Sequence, residues 1–231
     1  MSTNEFLAII KRSFPQPLYV LDVAIPQSGY IPINLSKYDK AFQSVNVSTE
    51  PPFSSYICNY LKQHKAKVAY GGYLEERNIY QRSQHFNKQS AEERNIHLGL
   101  DLWCKAGTKV FAPLNGVIHS FKNNTNYGDY GPTIILEHKV YNEAFYTLYG
   151  HLSLASIEGL QVGQPIKQNK PLAVLGNATE NGDYPPHLHF QVIRDMQGYF
   201  GDYPGVCAKK DLGFYKENCP DPLKFLNFGC V

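Results

Sequence analysis

Short segments in which apolar and polar residues alternate dominate the chain from about residue 70 onward, and glycine, proline and asparagine separate them. A period of two residues is typical of half-buried β-strands joined by tight turns. The pattern therefore predicts a mainly β protein built on an antiparallel sheet. Strands are predicted at residues 110–112, 116–121, 133–138, 145–151, 171–175 and 187–193.

The first 70 residues have a different pattern, with apolar side chains at helical spacing. Residues 4–13 are predicted to form a helix that Ser2 or Thr3 caps. Further helical turns are predicted at 41–47 and 56–64, with Pro51 and Pro52 breaking the chain between them. We predict three regions: a partly helical N-terminal region at 1–70, a β domain at 71–195, and a C-terminal extension at 196–231.

Composition is that of an ordered globular chain. Its 231 residues are 43% hydrophobic and 18% charged, and the formal net charge is +2. Such a balanced charge does not indicate a nucleic-acid partner. No stretch is apolar and long enough to span a bilayer, so no membrane association is predicted. The sequence gives no indication of an oligomeric state.

The cysteines and the N-terminus bear on the compartment. Five cysteines, an odd number without paired spacing, are more typical of reduced thiols than of a disulfide framework. The N-terminal residues lack the basic segment and long apolar run of a secretory signal. We therefore predict a cytoplasmic protein, unless a leader has been removed or export follows a non-standard route.

Four histidines and one aspartate lie in the β-rich part of the chain. His187 and His189 are two residues apart, so on a strand they face the same side while Leu188 and Phe190 face the core. His97 and Asp101 are four residues apart, which is about 13 Å along a regular strand. Gly99 between them predicts a bend that brings the two side chains together. Catalytic zinc takes three ligands from such residues and leaves its fourth position to water.

These motifs occur within an ordered series. His97-Leu98-Gly99-Leu100-Asp101 is followed by 106–113 (AGTKVFAP), 115–118 (NGVI), Glu137-His138, 149–152 (YGHL), 162–166 (VGQPI), 175–176 (LG) and 187–190 (HLHF). In content and order, residues 97–192 resemble the lysostaphin/LytM-type zinc metallopeptidases, a family of peptidoglycan endopeptidases. The resemblance implies a sandwich of antiparallel sheets, the duplicated hybrid motif fold, with a zinc groove across it.

The resemblance also implies roles for particular residues. The metal ligands of the family correspond to His97, Asp101 and His189, and its two non-ligand catalytic histidines correspond to His151 and His187. The predicted cofactor is Zn²⁺ and the predicted reaction is hydrolysis of a peptide or amide bond by metal-activated water. The predicted partner is a peptide or a peptidoglycan-derived substrate. All five positions carry the residue type that the family uses.

Other polar residues receive structural interpretations. His138 is expected to be packed or hydrogen-bonded near the site, His119 to lie at or near the surface, and His64 and His85 to be exposed. Arg77 and Arg94 precede the first predicted ligand and are weaker candidates for binding a substrate carboxylate, because a guanidinium matches its geometry.

Peptidoglycan lies outside the cytoplasm, which conflicts with the predicted compartment. Two alternatives therefore stay open beside the metallopeptidase. One is a cytosolic metabolic enzyme that hydrolyses a small amide or ester, and the other is a catalytically silent binding module that keeps the groove. The loop at 177–186, which is longer and more acidic than in many family members, and the C-terminal extension are candidates for gating the groove.

Overall fold

An eight-stranded sheet forms the centre of the protein in a computed structural model, which describes residues 1–82, 93–141 and 143–228. The strands are β1 (Tyr30–Pro32), β2 (Val68–Gly71), β3 (Ile96–His97), β4 (Leu100–Trp103), β5 (Lys109–Phe111), β6 (Gly116–Asn124), β7 (Gly131–Val140), β8 (Glu143–Gly150), β9 (Pro165–Ile166), β10 (Pro171–Val174), β11 (His187–Ile193) and β12 (Val206–Cys207). The helices are α1 (Thr3–Ser13), α2 (Lys40–Gln43), α3 (Glu50–Gln63), α4 (Leu212–Asn218) and α5 (Pro222–Phe225). Short 3₁₀ turns lie at Gln27–Gly29, Ile79–Arg82, Leu154–Ile157 and Lys209–Asp211.

The large sheet has the order β1-β2-β4-β11-β8-β7-β6-β9. Its β1–β2 pair is parallel and its other pairs are antiparallel. Two-stranded sheets β5–β10 and β3–β12 complete the architecture. The predicted fold class, mainly β with antiparallel sheets and a partly helical N-terminus, is confirmed.

The largest apolar cluster covers one face of the large sheet. Leu188, Phe190 and Val192 of β11 point into it, as the alternation predicts, and β5, β10, α1 and α5 contribute to it. The opposite face of the sheet carries the predicted site histidines. There α3 packs Phe53 against Trp103 with ring centroids 5.1 Å apart, and part of the C-terminal extension covers the neighbouring strands.

Each of the six predicted strands coincides with a strand of the structure to within a few residues. The predicted N-terminal helix corresponds to α1, where Ser2 and Glu5 form a capping box. The prediction at Pro51 and Pro52 was wrong, because α3 begins at Glu50 and these prolines occupy its first turn. A proline there removes only an N–H that has no partner inside the helix. Where helical turns were predicted at 41–47, the structure has only the shorter helix α2.

The three predicted regions share sheets. Strands β1 and β2, from the N-terminal 71 residues, extend the large sheet, and β12 of the C-terminal extension pairs with β3. The division into 1–70, 71–195 and 196–231 stays a prediction. The described cysteines, Cys58, Cys104, Cys207 and Cys219, are free thiols, whereas Cys230 and His85 lie outside the described residues.

Among the residues that the structure describes, no helix has both the length and the apolar composition needed to cross a bilayer.

Candidate active site

Two adjacent antiparallel strands, β4 and β11, position most of the site. In their register His189 lies opposite Asp101, and His187 lies opposite Trp103. Residues two apart on a strand share a face, so these four side chains lie on one side of the sheet. The expectation that His187 and His189 face one site is met.

His97 reaches the same place through a break in the chain. Strand β3 ends at His97 and β4 begins at Leu100, with a bend at Gly99 between them, as the sequence predicts. A Cβ at residue 99 would lie 2.6 Å from the His189 ring. Glycine is therefore needed here for close approach of the backbone to a site side chain.

Three donor atoms converge in the predicted ligand set. His97 Nε2 lies 2.9 Å from His189 Nδ1 and 3.3 Å from Asp101 Oδ1, and the last two atoms are 3.2 Å apart. Each of these residues is only 2% exposed. This cluster is the group of potential metal ligands found among the described residues.

The second nitrogen of each of these histidines is already committed. His97 Nδ1–H donates to the Gly72 carbonyl at 3.0 Å, and His189 Nε2–H donates to Gln191 Oε1 at 3.0 Å. The Gln191 amide is itself oriented, because its NH₂ donates to the Pro204 carbonyl at 3.1 Å. These bonds leave lone pairs on His97 Nε2 and His189 Nδ1, which are the two converging atoms. Such outer partners are a regular feature of metal-binding histidines.

The other carboxylate oxygen of Asp101 is bound by a buried arginine. Arg77 Nη1 lies 2.5 Å from Asp101 Oδ2, and Arg77 Nε lies 2.6 Å from Glu75 Oε2. Arg77 is 3% exposed and paired with two carboxylates. It is therefore unsuited to the substrate-binding role suggested from sequence, and it orients Asp101 instead.

The electrostatics of the cluster favour the protonation states that a metal requires. Burial alone would raise the pKa of the Asp101 carboxyl, but His97, Arg77 and two hydrogen bonds hold it well below its usual range. Burial lowers the pKa of His97, and the Asp101 charge only partly opposes this. An ionised carboxylate beside a neutral imidazole is the form in which both act as ligands.

The donor set fits zinc. Two imidazoles and one carboxylate are a recognised catalytic set, and with bonds of about 2.0–2.2 Å a tetrahedral site places its donors about 3.3 Å apart. The separations of 2.9–3.3 Å agree with that spacing. His97, Asp101 and His189 would therefore hold the ion.

His151 and His187 lie beside this cluster with their rings 4.1 Å apart. Each donates its Nδ1–H to a backbone carbonyl, His151 to Asn181 at 2.7 Å and His187 to Pro185 at 2.8 Å. This leaves the Nε2 lone pair of each ring free of a proton. His187 Nε2 is 3.9 Å from Asp101 Oδ1, which places it within reach of groups bound at the cluster.

The two rings are held neutral. Burial lowers the pKa of His187 to about 4, with partial opposition from Asp101. Burial, with the neighbouring His187, holds the pKa of His151 well below its usual range. The His187 ring stacks on Trp103 at a centroid distance of 3.8 Å, which fixes its plane.

A cavity of about 200 Å³ opens onto all five residues. Aromatic side chains dominate its walls, and two arginines and the carboxylates of Asp129 and Asp202 also line it. Its lining includes Tyr80, Trp103, Tyr130, Tyr184, Tyr199, Tyr203, Arg77 and Arg94.

The model of Peptidase family M23 matches residues 95–199. The match covers 105 of the 231 residues. The resemblance to lysostaphin and LytM-type peptidases is thus confirmed, and the matched range contains all five predicted site residues. No curated protein matches the chain.

Several solved structures resemble the chain. The catalytic domain of the antimicrobial peptidase lysostaphin from Staphylococcus simulans is 20% identical, covers 71% of this chain and 97% of its own, and has a TM-score of 0.37. A zinc-containing peptidase from Vibrio cholerae is 28% identical over 46% of this chain and 29% of its own, with a TM-score of 0.34. LytU is 24% identical over 54% of this chain and 77% of its own, with a TM-score of 0.37.

Sequence reasoning missed two residues of the candidate site. Gln191 continues the alternation of His187 and His189 on β11, so its offset of two could have identified it. Trp103 stands in the same relation to Asp101 on β4. The remaining histidines lie away from the cluster: His64 is exposed, His119 is half-buried, and His138 is buried and hydrogen-bonded to Asn115 and Thr147.

Proposed function

We propose that the protein is a zinc-dependent metallopeptidase that hydrolyses a peptide or amide bond. The observation that carries the proposal is the convergence of three deeply buried donors whose remaining polar atoms are already bonded. With their outer nitrogens bonded to Gly72 and Gln191, His97 and His189 present two lone pairs 2.9 Å apart, an arrangement that is repulsive without a cation between them. Zinc bound there supplies a Lewis acid that polarises the substrate carbonyl and acidifies water.

The two further histidines would carry the protons. With Nδ1–H bonded to carbonyls and both rings neutral, His151 and His187 each present a basic Nε2. Either ring can accept a proton from the attacking water. The imidazolium so formed can donate to the oxyanion that develops, or to the leaving nitrogen, and so return to its starting state.

The substrate is a peptide or a fragment of peptidoglycan type in this proposal. The second candidate is a cytosolic enzyme acting on a small amide or ester, and the modest size of the cavity favours it as the alternative. A silent binding module is disfavoured, because each of the five site residues is present and oriented.

Metal analysis of the purified protein tests the proposal first. We expect about one zinc ion per chain in the wild type and its loss in His97→Ala, Asp101→Ala and His189→Ala, because each removes a ligand. His119→Ala is the matched control, since this half-buried histidine lies on β6 outside the site. Protein that neither retains zinc nor takes it up when supplied would refute the proposal.

A second experiment separates ligands from proton carriers. His151→Ala should keep its zinc yet lose most turnover against a panel of short peptides, muropeptides and small amides. Release of zinc from His151→Ala as readily as from His97→Ala would show that the roles are wrongly assigned.

A further inference from the structure

Residues outside the M23 segment convert the site into a cavity. Ile79, Tyr80 and Arg94 line it from the side that precedes residue 95, and residues 202–206 line it from the side that follows residue 199. The volume of about 200 Å³ is below the roughly 300–1,000 Å³ of pockets for drug-sized ligands. The space suits a small group more than a polymer crossing the sheet.

The wall made by residues 199–206, which we call the closing segment, is anchored along its length. Val206 pairs with His97 across β12 and β3, and the Leu98 N–H donates to the Gly205 carbonyl at 2.9 Å. Gln191 donates to Pro204, and Asn218 Nδ2 donates to the Tyr203 hydroxyl at 2.6 Å. Residues bonded in this way to β3, β11 and α4 form a fixed wall.

The two arginines of the cavity are in different situations. Arg77 is neutralised by Glu75 and Asp101, whereas Arg94 is half-buried and bonds through Nη2 to the Val206 carbonyl at 3.1 Å. In the described part of the chain no carboxylate forms an ion pair with Arg94. A guanidinium has five donors in a planar fork and binds carboxylates in a bidentate manner.

The position of Arg94 limits how far a bound carboxylate can be from the reacting bond. Arg94 precedes the ligand His97 by three residues, so their Cα atoms are at most about 11 Å apart. An extended peptide residue spans about 3.3–3.6 Å. The guanidinium itself is held beside this ligand, because it bonds to the Val206 carbonyl and Val206 pairs with His97. This placement leaves room for about one or two residues between the bond at the cluster and a carboxylate at Arg94.

We infer that the cavity binds a free carboxylate through Arg94, so that the substrate is a peptide or amide whose carboxyl end lies one or two residues from the bond cleaved. The inference rests on the proposed function for the bond cleaved, but carboxylate binding itself does not require turnover. It deepens the proposal from a peptidase in general to one that acts at carboxyl ends.

Trp103 provides a direct binding signal, because it is the only tryptophan in the chain and it lines the cavity. Its fluorescence is followed while N-acetyl-dialanine, of L and of D configuration, is added as the free acid or as the C-terminal amide. We expect the better-bound acid to bind about tenfold to hundredfold more tightly than its amide, because a charge-assisted pair is lost in the amide. The titration is run on both metal-free and zinc-loaded protein.

Arg94→Gln should abolish this preference while leaving zinc content and the circular dichroism spectrum unchanged. Arg12→Gln is the matched control, since it removes an equal charge from an exposed position on α1. Equal binding of acid and amide by the wild type, a preference that survives in Arg94→Gln, or no binding of either acid would overturn the inference.

Product analysis separates this inference from the proposed function. Cleavage one or two residues from a free carboxyl end supports both. Equal cleavage of peptides blocked at both ends supports the peptidase and refutes the role of Arg94. Zinc-loaded protein that prefers the acid but cleaves nothing supports carboxylate binding and refutes the peptidase.

Discussion

The two faces of strand β11 are equally buried and do different work. Leu188, Phe190 and Val192 on one face are fully buried in the main apolar cluster, while His187 and His189 on the other are 2% exposed. The apolar side chains need only fill volume. The histidines must each find partners for two ring nitrogens, because an unpaired polar group is costly when buried.

That difference explains why the polar face is so closely specified. His189 requires Gln191 as an acceptor, and Gln191 in turn requires the Pro204 carbonyl. Each of these contacts fixes a direction as well as a distance. On the apolar face, replacement of a side chain by another of similar volume is tolerated. On the polar face, the same kind of replacement breaks a series of linked hydrogen bonds.

The largest expected difference between the two faces is the effect of a substitution on the free energy of unfolding. Phe190→Ala should lower the free energy of unfolding by about 3–5 kcal/mol, because it opens a cavity in the main cluster. His189→Ala should cost the metal-free protein only about 1–2 kcal/mol, from the acceptor of Gln191 that is left unpaired. Urea unfolding in the presence of a chelator measures both.

Phe190→Leu is the control for this contrast, and it should lose less than about 1.5 kcal/mol because much of the volume is kept. Equal losses in Phe190→Ala and His189→Ala would contradict the division of roles between the faces.

His138 is a histidine on the apolar face of the sheet, and the pH dependence of stability provides a second comparison of the two faces. It donates Nδ1–H to the Asn115 carbonyl, its Nε2 lies 2.7 Å from Thr147 Oγ1, and burial lowers its pKa from 6.5 to about 4. Between these values the unfolded chain binds a proton that the folded chain does not, so stability is complete above pH 6.5 and falls as pH decreases toward 4. The loss is about 3 kcal/mol.

His138→Gln keeps a donor and an acceptor but does not titrate. Its free energy of unfolding should therefore fall by about 3 kcal/mol less than that of the wild type from pH 6.5 to pH 4, as measured by urea unfolding at each pH with chelator present. Parallel curves for the two proteins would show that His138 is protonated in the folded state.

On the polar face, Gln191→Leu should weaken zinc binding by about tenfold to hundredfold, because His189 Nε2–H loses its acceptor. Gln191→Glu retains an acceptor and should keep most of the affinity, although it loses the bond to Pro204. Competition with a chromophoric chelator gives both constants. Affinity that is equally reduced in the two variants would assign Gln191 to packing alone.

Local pattern was sufficient to predict part of this site. Offsets of two on β11 and the bend at Gly99 follow from backbone geometry, so the shared face of His187 and His189 and the approach of His97 to Asp101 could be predicted before any contact was known. The family resemblance was needed to place His97, Asp101 and His189 in one ligand set. The family resemblance added His151, whose position no local rule determines. The roles of the five residues as ligands and proton carriers stay predictions.

Contacts between distant segments could not be predicted in this way. Arg77 pairs with Asp101 because its segment bonds to Asn95 and Ile96 at the start of β3, and Trp103 stacks on His187 because β4 lies beside β11. The closing segment becomes a wall through its pairing with β3 and its bonds to Gln191 and Asn218. Such arrangements depend on strand order, which periodicity does not encode. The prolines of α3 were misread for another reason, since proline favours the first turn of a helix as much as it opposes the interior.

The smallest expected effect concerns the backbone conformation of His151, a polar-face residue that directly follows the end of β8. Its φ is +63°, in the left-handed region that costs a residue with a Cβ about 1–2 kcal/mol. His151→Gly and His151→Ala both lose the imidazole and its bond to Asn181, and they differ only in that Cβ. We therefore expect the glycine variant to be the more stable by about 1 kcal/mol in urea unfolding.

The same two substitutions, to glycine and to alanine, at the exposed Lys11 in α1 should show the opposite order of stability, because glycine weakens a helix. If alanine were the better residue at both positions, the strain at His151 would be absent in solution. The bonds of its N–H to Tyr130, of its carbonyl to Gly176 and of its ring to Asn181 would then not be opposing any backbone preference.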